Sequence, residues 1–532
     1  MQSLRSFLSF LYGFVSASIL LAMFRSPKLL LHFPGPTWEG HRAMGWIAWG
    51  FLPAIALLFG VASLTYWLRW PTAKAWTLAV ASVNVATPFL LSWLLSQYGD
   101  ASAQSIVNGV KFTFLLFVLG VLGFAAFWNW NRSSDKLQDV RPARVAGDGT
   151  HPTVDKLFWI LVFAGYFAGM HWWGRWAHTA GLPSQSVIPS YIGVFIAELA
   201  VVLVHEAGHA LSGMAMGMKV WAFVVGPFQW RIVGDRWTFT FRPAQFFATG
   251  GSTAVVPTDP HQPLSRDIPM ILAGPLASLA GGLAGFWMVV RAPGHAWASW
   301  WELLAMFTTI SLLAFVGNLV PFQTGTAHYS DGAQIYQILS SGPWRDFHRV
   351  LRVAGATQVT NLRPRDYDIA AIERSASVIG SGVRGFMLRL LAHSYYVDSG
   401  QPGAASLAIE QAESVYEECA EKLPAEGHYS LVTDAALQRR DAARARLSWD
   451  RAEAKKPGLL NGDYWMARSA LAWIEGDLDE ARSAWAKADE YLRGMPHTGA
   501  YEFDRDCLAA LKKTIDTDPI VRTPELADSL RG

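Results

Sequence analysis

His205-Glu206-Ala207-Gly208-His209 closes a long apolar run, Tyr191 to Met218. In a helix, residues i and i+4 share one face, one turn apart. Both imidazoles can then reach a single Zn2+, while the carboxylate beside them is free to act as general base on a water at the metal. Three polar groups inside a helix apolar enough for a bilayer are costly, which argues for function. A core histidine satisfied by its neighbours would explain one such group, not three within a turn.

The composition sets the context. Of 532 residues, 52% are hydrophobic and 16% charged, against about 25% charged in soluble domains. The deficit lies in the first 330 or so positions; from about 340 onward the chain reads as a soluble protein. A formal net charge of +2 gives no case for a nucleic acid or another polyanion as partner. Cys419 and Cys507 are the only cysteines. Both lie in the soluble part, so no disulfide framework is suggested and neither can ligate a metal in the membrane. The 25 tryptophans suit membrane–water interfaces.

Eight apolar runs are about long enough to cross the hydrocarbon layer: residues 7–24, 45–67, 77–96, 110–130, 157–173, 191–217, 267–290 and 300–320. With the N-terminus inside, the inside loops carry Arg69 and Lys74; Arg132, Lys136, Arg141, Arg144 and Lys156; then Lys219, Arg231, Arg236, Arg242 and Arg266. The outside loops carry Arg25, Lys28, Arg42, Arg175 and Arg291. The excess is inside, as the positive-inside rule requires. The expectation is a multi-pass protein of a bacterial inner membrane with both termini cytoplasmic. The His pair would then lie in the cytoplasmic half of the sixth span.

Past that span the pattern changes to period two. Phe228–Val233 and Arg236–Phe241 flank Gly234-Asp235, a hairpin signature. A further extended segment is expected over Phe246–Pro257, bending at Gly250 and Gly251. An unpaired strand edge beside a hydrolytic site is a natural clamp for an extended peptide, which makes Gly250 and Gly251 candidate substrate-binding residues. In the seventh span, Ala273, Ala277, Gly281 and Gly285 recur every four residues, spacing that lets helices approach closely and would seat this span on the metal helix.

Catalytic zinc sites commonly use three protein ligands. The eighth span ends in Asn318-Leu319-Val320-Pro321, and Asp331-Gly332 follows on the same side of the membrane as the His pair. Asp331 is the candidate third ligand, with His328 its competitor.

Taken in order, His205-Glu206-x-x-His209, the Gly250-Gly251 segment, Ala273-Gly274-Pro275-Leu276-Ala277 and Asn318-x-x-Pro321 before Asp331-Gly332 resemble the site-2 protease family of intramembrane zinc metalloproteases. The resemblance covers about 157–340. It implies one Zn2+ per chain held by His205, His209 and Asp331, and Glu206 as catalytic base. It also implies Asn318 close by, assisting substrate or oxyanion, and substrates that are transmembrane helices cut in regulated intramembrane proteolysis. Nine residues separate Pro321 from Asp331, more than the family's usual pattern; residues 325–328 would form an excursion that returns Asp331 to the metal.

In the soluble part, Ala405, Ile409 and Ala412 match Ala445, Trp449 and Ala452, then Ala481, Trp485 and Ala488, at offsets of 40 and 36 residues. Each set follows a turn-like stretch. The pattern resembles tetratricopeptide repeats, whose stacked helical hairpins bind peptide or protein adaptors. The expected fold is thus an α-helical polytopic membrane protein of about eight spans with a small β-hairpin insertion after the metal helix, plus an all-α cytoplasmic domain. Its divisions are a four-span module at 1–156, a metalloprotease core at 157–340 with the hairpin at about 220–257, and a helical domain at 341–532. The competing function is a catalytically inactive membrane scaffold that binds partners through the helical domain.

Overall fold

The computed structural model describes residues 12, 52–67, 75–76, 78–86, 147–182, 187–233, 236–241, 250–323, 329–419, 423, 425–455 and 461–518. The first part of the chain comprises α1 (Leu52–Trp67), α2 (Pro152–Thr179) and α3 (Val187–Ala215), then a sheet of β1 (Met218–Val225), β2 (Phe228–Val233), β3 (Arg236–Phe241) and β4 (Gly251–Pro257), then α4 (Asp267–Val290) and α5 (Trp301–Leu319). Three segments are long and apolar enough to cross a membrane: Gly193–Ala215, Leu264–Val290 and Ala298–Leu319. They correspond to the sixth, seventh and eighth expected spans. The second and fifth are helical as α1 and α2, and residues 78–86 of the third are helical. The first span, apart from Tyr12, and the fourth lie outside the described residues.

Lipid offers helices no hydrophobic reason to associate, so contact depends on close van der Waals packing between small residues. Gly208 of α3 rests on α4 so tightly that a Cβ there would sit 2.5 Å from the Ala273 carbonyl oxygen and 2.7 Å from the Ala277 Cβ. The four-residue stripe then turns away. Gly281 lies between Val204 of α3 and Phe307 of α5, and Gly285 meets Phe307 and Thr308 of α5. The stripe thus joins α4 to the metal helix at one end and to α5 at the other. Behind α5, Gly165 and Gly169 of α2 meet Leu313 and Thr309.

α3 ends because Gly217, at φ +77°, turns the chain into β1. The expected hairpin is present, with Val233 paired to Arg236 and Phe228 to Phe241. The period-two reading missed β1, whose residues 220–225 are apolar with no alternation. β1 pairs antiparallel with β2 and with β4, giving the order β3-β2-β1-β4, and the ladder to β4 slips between Val220 and Ala222. β4 is an edge strand lying along α3.

After α5 the chain is helical: α6 (Asp331–Leu339), α7 (Pro343–Ala356), α8 (Ile369–Val378), α9 (Gly382–Asp398), α10 (Pro402–Cys419), α11 (Glu426–Leu437), α12 (Ala442–Ala454), α13 (Gly462–Ile474), α14 (Leu478–Arg493) and α15 (Gly499–Thr517). The helices α9–α10, α11–α12 and α13–α14 pack as successive hairpins. Ala405, Ile409, Ala412, Ala445, Trp449, Ala452, Ala481 and Ala488 are buried, and Trp485 is partly so. The turns repeat as well. Gly400, Arg440 and Gly476 all have positive φ, at 67°, 57° and 76°, and they keep the 40- and 36-residue offsets. The helical tail closes on its own beginning: Gly499 N donates to the Thr360 carbonyl, and Arg363 bridges Asp398 and Asp506.

Candidate metal centre

His205 and His209 point from α3 toward α6, whose first residue is Asp331. One ligand atom from each of the three lies within 4.8 Å of the others, and all three residues are buried. The Nε2 atoms of the two histidines are 3.2 Å apart. His205 Nε2 is 3.1 Å from Asp331 Oδ2, and His209 Nε2 is 3.6 Å from Asp331 Oδ1.

The hydrogen bonds around this cluster orient both rings and fix the tautomer of a neutral His209. His209 Nδ1 lies 2.9 Å from the Met270 carbonyl oxygen. A carbonyl only accepts, so Nδ1 carries the hydrogen and a neutral His209 presents a lone pair at Nε2. His205 Nδ1 is 3.0 Å from Ser278 Oγ, which leaves its Nε2 likewise aimed at the cluster. Asp331 Oδ2 is buried and receives no hydrogen bond. The His209 lone pair, His205 Nε2 and the Asp331 carboxylate therefore converge on one point, a ligand set that suits a divalent cation. The separations fit: tetrahedral ligands at zinc–nitrogen distances of about 2.0–2.1 Å would lie about 3.3 Å apart. Met270 and Ser278 fill the supporting role that metal-bound histidines need at the other ring nitrogen.

Glycines set the close approaches. A Cβ at Gly274 of α4 would fall on the His209 imidazole. A Cβ at Gly332 would strike the Leu319 backbone, so α6 starts jammed against the end of α5 and carries Asp331 with it. Ser330 caps α6 by accepting from Ala333 N, and its hydroxyl donates to the Val320 carbonyl. The long Pro321–Asp331 connection is pinched shut: Ser330 N donates to the Phe322 carbonyl, and Gln323 bridges to Tyr329. The connection thus starts and ends beside the histidines' partner Asp331, and the extra residues 325–328 lie outside the described residues. His328, the competing ligand, lies outside the described residues.

Glu206 faces β4. Thr253 Oγ1 donates to Glu206 Oε2 at 2.7 Å, and a Cβ at Gly251 would come within 2.7 Å of Glu206 Oε1. Gly250, at φ +69°, makes the bend before the strand. The candidate base and the start of the edge strand are therefore in direct contact. Asn318 sits next to Leu319, but its Nδ2 donates to the Ala314 carbonyl of its own helix at 3.1 Å. Sequence reasoning missed Ser278, Met270 and Thr253. A serine in a membrane helix and a threonine in a strand are common, and a backbone carbonyl carries no sequence signal.

Residues 193–296 match the sequence model of Peptidase family M50, the site-2 protease family. The match takes in the His-Glu-His helix, the sheet and α4, and ends before Asp331. At the family level it supports a site-2-type intramembrane metalloprotease, in a family that also contains inactive members. Together with the three apolar helices it makes this an integral membrane protein. No curated protein and no solved structure matches the chain.

Proposed function

We propose that this protein is a zinc-dependent intramembrane endopeptidase that cleaves transmembrane substrate helices. One observation carries the reading: the lone pairs of His205, His209 and Asp331 converge beside a carboxylate, Glu206, that is not needed as a ligand. A structural metal site has no use for such a neighbour. When bound, Zn2+ supplies a Lewis acid that lowers the pKa of water and polarises a carbonyl. His205, His209 and Asp331 hold it. Glu206 Oε1 or Oε2 takes the proton of the attacking water and returns it to the leaving amine nitrogen. Thr253, donating to Oε2, orients that carboxylate. Asn318 is proposed to assist the substrate carbonyl after leaving its Ala314 contact.

A helical substrate shields its amides in its own hydrogen bonds, so it must unwind before attack. β4 supports where the unwound segment goes. Among the described residues its second edge has no partner strand, and its Gly251 end touches Glu206. A substrate added as a strand on that edge would run past the base. The candidate ligands lie at the tail end of the apolar helices, since α6 carries Asp331 and α7 follows directly from it. The loop charges support that side as cytoplasmic and suit a bacterial inner membrane. The helical hairpins of the tail, which resemble tetratricopeptide repeats, are proposed to recruit substrate or adaptor.

The test is zinc content and cleavage of a single-span substrate, for wild type, Glu206→Gln and Asp331→Ala. Glu206→Gln should retain zinc and lose cleavage by at least about a hundredfold, the scale of general-base removal. Asp331→Ala should lose metal. Zinc bound by wild type and Glu206→Gln, with no cleavage and no difference in accumulated membrane fragments between the two, would replace this reading with the inactive scaffold.

A further inference from the structure

Asp148 is 3% exposed, in the short turn that leads into α2. Three parts of the chain meet on it. Its own turn is folded tightly: Thr150 N and Oγ1 both donate to Asp148 Oδ1 at 2.8 Å, and Gly149, at φ +79°, lies so close to the Tyr336 ring of α6 that no Cβ fits. The other carboxylate oxygen, Oδ2, accepts from the Tyr329 hydroxyl at 3.0 Å. Tyr329 is two residues before Asp331 and closes the excursion loop against Gln323. The Asp148 carbonyl accepts from Gln337 Nε2 of α6 at 2.9 Å.

The tail reaches the same point. The Arg384 guanidinium of α9 stacks on the Tyr329 ring, 4.4 Å from its centre, and Trp344 of α7 packs edge-on against that ring at 5.3 Å. Gln337 donates to a carbonyl through Nε2, so its Oε1 must accept. It does so from His348 Nε2 of α7 at 2.8 Å, which places a hydrogen on His348 Nε2. α6 is thus gripped at its capped start through Tyr329 and along its length through Gln337.

We propose that Asp148 and Tyr329 are positioning residues for the metal centre, a buried junction through which the N-terminal part of the chain and the helical tail together fix where Asp331 stands. The chain preceding α2 enters the core along this turn, and the tail's α7 and α9 supply its far wall. The two histidines stand on α3, with their other ring nitrogens held by α4, while Asp331 stands on α6. The centre therefore has two ligands on one helix of the core and the third on a separate helix that this junction holds in register. The site gains a means of control from outside the membrane core. This rests on the metal-centre reading above.

The full-length, detergent-solubilised protein tests it through Tyr329→Phe, Asp148→Ala and Asp148→Asn. Three readouts apply: Zn2+ affinity by chelator competition, the visible absorption of the Co2+-loaded protein, and amide exchange over residues 329–339. Loss of a supporting partner at a metal ligand costs about 10–100-fold in affinity. Tyr329→Phe and Asp148→Ala should weaken Zn2+ binding on that scale, shift the Co2+ spectrum toward that of Asp331→Ala, and speed exchange over 329–339. Asp148→Asn keeps the Oδ1 acceptor for Thr150 and an amide that can donate to the Tyr329 hydroxyl oxygen, and should recover much of all three. Arg493→Ala, which removes an exposed pair within α14, should change nothing. Wild-type affinity, spectrum and exchange in Tyr329→Phe and Asp148→Ala would overturn the junction while leaving the protease reading intact. If wild type binds no metal, the centre fails instead, and the exchange measurement still decides whether Asp148 holds α6.

Discussion

Glu206 and His209 are crowded by two different glycines, and this separates their roles. Gly274 lies under the His209 ring, and Gly251 lies against the Glu206 carboxylate. An added methyl group must displace one or the other, because both neighbours belong to packed elements. Gly274→Ala should move His209 and lower zinc affinity by about tenfold or more, the scale seen when a ligand loses its orientation. Gly251→Ala should leave zinc content near wild type and reduce cleavage, since the added methyl meets Val202 and the base but neither histidine. Zinc titration and cleavage measured on both variants give the comparison. Equal effects on metal and rate in the two would show that the base and the ligands do not act separately.

At the scale of elements, β4 is the part that connects the sheet to the chemistry. It is anchored to β1 along one edge, with its Thr253 side chain on Glu206, and it presents Ser252 and Ala254 as exposed residues. Lysines on an edge strand discourage strand addition through charge and bulk. Ser252→Lys and Ala254→Lys should therefore slow cleavage of a single-span substrate severalfold while zinc occupancy stays near one per chain. Full activity in both would remove strand addition from the mechanism. α7 is the second connecting element. His348 and Arg352, one turn apart, reach Gln337 of α6 and Asp267 at the start of α4. The tail's first long helix thereby braces both helices that flank the histidines.

Across the whole molecule, the junction around Asp148 also sets a pH dependence. Burial and the Arg384 charge push the His348 imidazole from its ordinary 6.5 down to about 4. The folded protein therefore resists protonating His348 while the unfolded chain accepts a proton below about 6.5. This contribution to stability is complete above pH 6.5, erodes as pH falls, and is gone near pH 4. The limit is about 1.4 kcal/mol per pH unit over that window. Unfolding of wild type and His348→Gln, followed from pH 7 to pH 4, should show a shallower loss in the variant. Parallel curves would show that His348 is not held neutral. Because His348 touches Gln337, acid should loosen α6 before the hairpins of the tail.

The sequence by itself determined the pieces whose physics is local. Helical spacing put His205 and His209 on one face. Period-two alternation around Gly234-Asp235 gave β2 and β3 in register. The 40- and 36-residue offsets marked the tail's recurring small and apolar positions and the turns before them, and the structure added the left-handed conformation shared by Gly400, Arg440 and Gly476. Only the tertiary structure decided what brings distant pieces together. β1 was hidden because a strand covered on both faces loses its alternation. Ser278, Met270 and Thr253 became visible only when α4 and β4 packed against α3. Asp331 is separated from His209 by more than a hundred positions. The closing of its loop at Tyr329 and Ser330, and the absence of room for any side chain at Gly332, place it opposite the histidines. Such contacts depend on the shapes of surfaces that meet after folding, and no spacing along the chain encodes them.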